Sequence, residues 1–318
     1  MTQRRQLIAA TALALLASAA SAQGTGRPLK LVVPFAAGTS TDIVGRVLAE
    51  ALGRQLGQTV IVENKPGAGG TIGSEMVARA GADANTLLMG TVGTHAINPT
   101  LYKKLPYQPL RDFVPLGFAG ATPTLLVVPA SAPWKGVADL RQASGKSVSF
   151  ASAGNGTSGH LAGETLNIRL GKDFVHVPYR DGAQALTELM GGNVQFMFYH
   201  PAAVLPHIRA GKLRALGASS AKRSAAAPDV PTLAEQGVAD FDLVAWFMLY
   251  APASMPAAQR DTLRDATQAV LAQAEVREKL AAQGIESAAM NAAEMATFGT
   301  AEVAKWGEAV KRSGAQMD

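Results

Sequence analysis

No cysteine occurs anywhere in the 318 residues, so no disulfide holds this fold together. An apolar content of 48% is left to supply the cohesion. A chain of this length buries enough of its surface to manage on packing alone. No run of four or more Lys/Arg occurs, which removes the usual footprint of a nucleic-acid binder. No apolar stretch reaches the roughly 20 residues that a membrane-spanning helix requires. Several catalytic signatures are missing as well. A nucleophile elbow needs G-x-S-x-G, but Gly156-Thr157-Ser158-Gly159 lacks the second spacer. A phosphate loop is absent, and Gly67-Ala68-Gly69-Gly70-Thr71-Ile72 fails the dinucleotide pattern at Ile72. The five histidines, His95, His160, His176, His200 and His207, show no metal-ligand spacing. Neither a metal nor a cofactor is expected.

What is present begins with an export signal. Arg4 and Arg5 precede an apolar core, Leu7–Ala17, and Ala20-Ser21-Ala22 supplies a small-x-small cleavage site. The sequence predicts cleavage after Ala22 and a mature chain of 296 residues from Gln23. With no cysteine behind the apolar core, a lipid anchor is not expected. Losing Arg4 and Arg5 lowers the net charge from +5 to +3, a mild basicity that suits anionic solutes. The length predicts two domains of about 150 residues each.

The stretch Leu31–Glu50 organises the first half. An apolar strand, Leu31–Val33, runs through Pro34 into a loop of small residues. Ile43, Val44, Val47, Leu48, Ala51 and Leu52 then recur at helical spacing. Thr39 and Asp42 stand in the relation of a capping box, so a helix is predicted from about Ser40. The first turn of a helix leaves backbone N–H groups without partners and carries a partial positive charge. Phe35–Asp42 therefore reads either as a carboxylate cradle or as an ordinary strand-to-helix turn with a capped helix. Asp42 itself reads as a cap more readily than as a ligand contact. A side chain at Gly38 is expected to block the cradle.

Strands at Val60–Val62 and Leu87–Met89 follow, with Pro66–Gly70 placing a helix from Thr71 to about Ala80. The polar loop Gly90–Thr94 leads into a short helix at His95–Leu101. Apolar runs Phe113–Phe118 and Thr124–Val128 are separated by Gly120 and Pro123. The strand–loop–helix pattern then returns: Ser147–Ala151, the loop Ser152–Gly159, and the helix His160–Leu170. Two glycines and three hydroxyls between Ser152 and Ser158 offer close backbone approach and donors; the alternative is a flexible turn. After strands Phe174–Val177, Val194–Phe198 and Leu213–Gly217, an exposed linker is predicted from Ser219 to Pro231. Phe241–Ala251 reads as a strand or strand pair. Helices Ala257–Gln283, with a break near Glu275, and Ala292–Lys311 close the chain. Alternating strands and helices imply an α/β fold with mostly parallel sheets. Ligands in such sheets bind beyond the carboxyl ends of strands. Thr94 and His95, and likewise His160, sit at helix starts where a histidine faces the cleft or serves packing. Tyr179 and Tyr199 end strands where an aromatic could stack on a ligand. For Trp246, core packing is the expectation.

Several blocks, in order, resemble one family: VVPFAAGTSTDIVGR, ENKPGAGGTIGSEMVA, HAINPTLYKKLPY with DFVPL, SAGNGTSGHL, VPYRDGAQALTELMGG, HIRAGKLRALGASS, and PDVPTLAEQG followed by APASMP. They are similar to the periplasmic solute receptors of tripartite tricarboxylate transporters, the Bug receptors. The resemblance implies a two-lobed periplasmic binding protein of Venus-flytrap, type II-like form with two crossover hinge segments, near Leu125–Val128 and Leu216–Ser220. It implies lobe 1 from 23 to 123 plus 221 to 318, and lobe 2 from 124 to 220. It further implies a small carboxylate, whether organic, aromatic or amino acid, enclosed between loops. Those loops are Phe35, Ala36, Ala37, Gly38, Thr39, Ser40, Thr41 and Asp42 in one lobe, and Ser152, Ala153, Gly154, Asn155, Gly156, Thr157 and Ser158 in the other. Tyr179, Gly182 and Ala183 match a second contact loop. The implied partners are membrane transporter subunits or a sensor kinase, and the expected state is a monomer without catalysis. An exported enzyme acting on a carboxylated substrate is the alternative. The sequence departs from the family at Thr39, where a second glycine is usual. It departs again at Asp181 and Gln184, and at Tyr199-His200, where an Asp ends the strand in many members. The carboxylate anchor thus matches while the specificity end differs, and an aromatic at Tyr199 favours a flat or aromatic carboxylate.

Overall fold

Residues 27–82 and 85–318 are described by a computed structural model; the signal-peptide and cleavage-site readings lie outside the described residues. The apolar run that opens the chain forms β1 (Leu29–Val33), in which only Lys30 is exposed. Burial on both faces is the mark of a parallel strand inside an α/β sheet. Its neighbours are β2 (Val60–Asn64) and β3 (Thr86–Thr91), both parallel to it. β4 (Phe113–Pro123) and β10 (Val244–Pro252) complete a five-stranded sheet in the order β2-β1-β3-β10-β4, with β10 antiparallel to both neighbours. The second sheet contains β5 (Leu125–Pro129), β6 (Ser149–Ser152), β7 (Val175–Pro178), β8 (Phe196–Tyr199) and β9 (Leu213–Ala218). Its order is β7-β6-β8-β5-β9. Both sheets place their parallel strands in the same arrangement, with the first of three in the middle, and then add an antiparallel strand.

Three helices follow strands of the first sheet and the loops after them: α1 (Ser40–Leu56), α2 (Thr71–Ala78), and a π-helical turn, Gly93–Ile97, that runs into a short α-helix at Asn98–Leu101. α1 buries Val44, Leu48 and Leu52 against Leu31, Val33, Leu87 and Met89. The second sheet carries α3 (Ser158–Leu170), α4 (Gly182–Met190) and α5 (Pro201–Arg209). Ala185, Leu186 and Leu189 of α4 close over Leu125, Val127, Ala151 and Met197. The C-terminal helices are α6 (Ala257–Ala272), α7 (Ala274–Ala281) and α8 (Ala292–Ser313). α8 packs against the π-helical turn on one side and α3 on the other, so it spans the two lobes. Among the described residues no helix is long and apolar enough to cross a membrane.

Two places set the course of the chain between the sheets. Gly120 does not end a strand: β4 runs through it, with a register shift opposite Phe247/Met248. Its φ of +141° and the packing of Glu286 O and Ile285 against its Cα leave no room for a side chain, which is how a glycine marks a bulge rather than a break. The chain also passes between sheets at Thr124, one residue ahead of the Leu125–Val128 segment, which lies wholly inside β5. The return crossing is held there too. Ser219 Oγ accepts from Thr124 N–H (2.9 Å) and donates to Leu243 O (2.6 Å). One buried hydroxyl therefore ties both crossovers together.

Candidate functional site

At the N-terminus of α1, Thr39 caps the helix as its spacing predicts, with Oγ1 accepting from Asp42 N–H at 3.4 Å. The reciprocal half of the capping box is shifted by one residue. Asp42 Oδ2 accepts from Gly38 N–H (2.9 Å), while Thr39 N–H turns to Ala36 O (3.4 Å). Asp42 also accepts from Arg46 Nε (2.9 Å) and Asn64 Nδ2 (2.9 Å). Burial works against its charge, but Arg46, the Gly38 amide and Asn64 outweigh that and hold the carboxyl below its usual range. Asn64 reaches the loop because β1 and β2 pair in parallel, setting Asn64 beside Val33. With its oxygens engaged, Asp42 shapes the loop. Gly38 takes φ +81°, and a Cβ there would meet nothing within 4 Å. A side chain at Gly38 therefore acts through backbone strain and not, as expected from sequence, by filling the cradle. Thr39, at φ −74°, needs no glycine. The loop donors left without an acceptor among the described residues are the N–H groups of Phe35, Ala36, Ala37, Ser40 and Thr41.

The second-lobe loop spends most of its polar groups on itself. Ser152 Oγ donates to Gly154 O (3.1 Å) and lies 2.7 Å from His176 Nε2. Thr157 Oγ1 donates to Gly154 O (2.8 Å), and Gly156 N–H donates to His160 Nδ1 (3.3 Å). His160 and His176 stack face to face 4.1 Å apart behind the loop. Burial pushes His160 down to about 4, and His176 to about 3 with His160 adding to the effect. These two rings and Glu164 bring three ligand-type atoms within 4.8 Å of one another, but a cation does not fit them. Nitrogen lone pairs lie in the ring planes, and rings only 18° from parallel cannot both aim at one ion. The Gly156 amide also occupies His160 Nδ1, which leaves the proton on Nε2.

The two loops face each other across a cleft with two compartments. The inner cavity, about 50 Å³, is lined by Phe35, Thr39, Ser40, Thr41, Ala153, Thr157, Ser158 and Tyr199 from the expected set. Thr91, Phe198, His200, Trp246 and Phe247 join them, and no lining residue carries a formal charge. Ser40 is 4% exposed and its Oγ has no hydrogen-bond partner among the described residues. Burial pushes the Tyr199 hydroxyl up to about 12, with the Asp181 charge adding to the effect. The outer chamber, about 380 Å³, is lined by Ala36, Gly154, Asn155, Tyr179, Arg180 and Gly182 among others. Ala183 lines neither compartment; its N–H donates to the Asp181 cap of α4 (3.0 Å). Thr94 and His95 are not brought to the cleft. Thr94 Oγ1 bonds within the turn to Thr91, while His95 stacks on Tyr250 (4.0 Å) and lines a separate cavity of about 140 Å³ beside α8.

Three glycines form the seam between the lobes. A Cβ on Gly69 would run into Asn155 O, and one on Gly156 into Asn98 Oδ1. On Gly93 it would stand 2.8 Å from Gly156 O. Asn98 Nδ2 donates to Gly69 O (3.1 Å) and joins two of these positions. Sequence reasoning passed over Gly93, Asn98, Asn64 and His200. Of these only His200 carried a signal, as the residue beside an unusual Tyr199. Trp246, expected in the core, is 2% exposed and also walls the inner cavity. Its N–H donates to Glu302 Oε2 on α8 (2.8 Å), which Trp306 shares (2.9 Å).

Ser158 and His200 are the pair that geometry would nominate as nucleophile and base. Ser158 Oγ and His200 Nε2 stand 3.5 Å apart, and His200 Nδ1 has no partner among the described residues. The third group that would orient the imidazole as a base is therefore not in place.

The fold matches known proteins over most of the chain. BugT of Bordetella pertussis (strain Tohama I) is 34% identical over 296 residues, covering 92% of this chain and 90% of that one. The periplasmic binding protein BugD superposes with a TM-score of 0.86 at 34% identity, over 92% of this chain and 99% of that one. Rpa4515 of R. palustris, solved with adipate, gives 0.87 at 32% identity, over 93% and 100%. The family model described as the tripartite tricarboxylate transporter family receptor, TctC, matches residues 44–315. The chain belongs to the TctC family of solute-binding receptors, with the two-lobed fold of the Bug proteins.

Proposed function

We propose that this protein is a periplasmic receptor that captures a small carboxylate between its lobes and presents the closed form to membrane transporter subunits. The observation that carries the reading is the inner cavity. It is free of formal charge, the N-termini of α1 and α3 face it from opposite lobes, and the buried Ser40 Oγ on its wall lacks a partner. Each helix terminus contributes about half a positive charge and unpaired N–H donors, and hydroxyls supply the rest. Charge-assisted bonds of roughly 1.5–3 kcal/mol each anchor an anion without an arginine. The adipate bound to Rpa4515 agrees with this chemistry. The proposed lobes are 23–123 with 221–318, and 124–220, hinged where Ser219 ties Thr124 to Leu243. Contacts made to both lobes at once would draw the population toward the closed form.

The direct test is to denature the purified protein and identify what it carries by mass spectrometry, then to measure thermal shifts with a carboxylate panel. Stoichiometric stabilisation with unchanged ligand is expected. Turnover of any member of the panel would instead make Ser158–His200 a reacting pair and this protein an enzyme.

Two substitutions probe the loops. Asp42→Ala removes the acceptor for Gly38, Arg46 and Asn64 at once. We expect a loss of about 1–3 kcal/mol in stability and roughly tenfold weaker binding, read by thermal denaturation and calorimetry. Tyr199→Asp should reorder the ligand panel toward amino-bearing acids; an identical ranking would remove Tyr199 from the specificity end.

A further inference from the structure

We propose that His200 is the titratable partner of the bound carboxylate, neutral against the empty inner cavity and protonated when a carboxylate enters, so that capture takes up a proton. This rests on the carboxylate-receptor reading. An anion enclosed by protein is held by donors or by opposite charge; the helix termini and hydroxyls of the cavity supply donors, but its lining has neither Lys nor Arg to supply charge. His200 is the one lining side chain that can become a cation near neutral pH.

Its position suits the role. The residue follows β8 at the N-cap position of α5 without a side-chain capping bond, its ring stacking on Tyr199 with centroids 5.6 Å apart and standing edge-on to Phe247 at 5.8 Å. Nε2 is 3.5 Å from Ser158 Oγ, the hydroxyl at the start of α3, and Nδ1 is buried with no partner among the described residues. The groups facing it are thus Ser158 from α3, Tyr199 from β8 and Phe247 from β10, with Ser40 of α1 on the same cavity wall. None is charged near neutral pH. Burial alone holds the imidazole down, to about 4. A carboxylate arriving beside it supplies the opposite charge that raises a histidine. Once protonated, both ring nitrogens donate, so the orphaned Nδ1 gains a use. The proton comes from solvent, and release of the ligand returns it.

The test is isothermal titration of the full mature chain with adipate, succinate and benzoate, between pH 5.5 and 8, in two buffers of different ionisation enthalpy. For at least one acid we expect affinity to rise about tenfold from pH 7.5 to 5.5, with a buffer-dependent heat that reports fractional proton uptake. His200→Gln keeps a neutral hydrogen-bonding side chain and should bind with a flat pH profile and no buffer dependence. The difference between the two proteins excludes the distant His95, His160 and His176. Binding by the native chain that is independent of pH and buffer overturns the proposal while leaving the receptor reading intact. An unchanged pH profile in His200→Gln does the same. Failure of all three acids to bind at any pH overturns both.

Discussion

Gly93→Val is expected to leave both sheets folded and to weaken ligand binding by about 100-fold, or roughly 2.7 kcal/mol. Gly93 lies in the π-helical turn at an ordinary negative φ, so the substitution brings no backbone strain of the kind a left-handed glycine would suffer. Its only close neighbour across the cleft is backbone. A Cβ would stand 2.8 Å from Gly156 O, tighter than real contacts allow, and a carbonyl cannot swing aside as a side chain can. The second-lobe loop has to retreat, and it is braced from behind by His160 on the Gly156 amide and His176 at Ser152. Relief therefore comes from opening the lobes. A ligand that binds the closed form then bears the cost of closing against the clash. Calorimetry gives the affinity, and small-angle scattering should show a larger radius of gyration with ligand than the native complex has. Gly93→Ala should give a graded, smaller loss. Native affinity in Gly93→Val would mean that the seam does not form in the bound state.

The second large effect is acid destabilisation of the ligand-free protein between pH 6.5 and 5. Burial holds His95 and His176 down to about 3, and His160 and His200 to about 4. In the unfolded chain each titrates near 6.5. As pH falls below 6.5 the unfolded state binds protons that the folded state refuses, so stability drops by up to about 1.4 kcal/mol per pH unit for each histidine. The loss continues until the folded-state values are reached. Even with substantial relaxation of the buried sites, the four together should cost on the order of 5 kcal/mol by pH 5. That corresponds to a fall in Tm on the order of 10 °C for a protein of this size. Glu164 works in the opposite sense, because burial raises its carboxyl and a falling pH relieves it. Asp42 and the other carboxyls held low lose their contribution only at more acid pH. A Tm that stays flat from pH 7 to 5 would show that these histidines titrate normally. His176→Gln, which keeps the contact to Ser152, should remove about a quarter of the slope.

Ligand binding sharpens the comparison between the two experiments. His200 alone among the four walls the inner cavity. A saturating carboxylate should therefore reduce its share of the acid loss and leave those of His95, His160 and His176 in place.

Local chemistry made much of the architecture legible in the chain. The apolar run of β1, the hydroxyl at Thr39 and the helical spacing of Ile43–Leu52 depend on neighbours a few residues away, and each appears as written. The helix starts were legible for the same reason, although α3 begins at Ser158, two residues ahead of the predicted His160, because Thr157 provides the extended backbone at its cap. Gly120 misled because a glycine in a strand signals a break and a bulge with equal force, and only the Glu286 carbonyl pressed against it distinguishes the two. His95 illustrates the opposite limit. Its place after a polar loop suggested the cleft, but the π-helical turn rotates its ring onto Tyr250, 155 positions along the chain.

By itself, then, the amino-acid order determined the class of fold, the two strand-to-helix loops and the helices behind them, since these follow from periodicity, capping and backbone preference. Tertiary structure decided how firmly those loops are held and what they face. Asp42 and His160, each four residues along the chain, take the Gly38 and Gly156 amides from any ligand, and Asn64, brought in by strand pairing, holds Asp42 in that place. It also decided that three glycines far apart in sequence meet at one seam, and that a histidine walls a cavity whose lining has no Lys or Arg. Such facts depend on distances across the cleft, which no local pattern encodes.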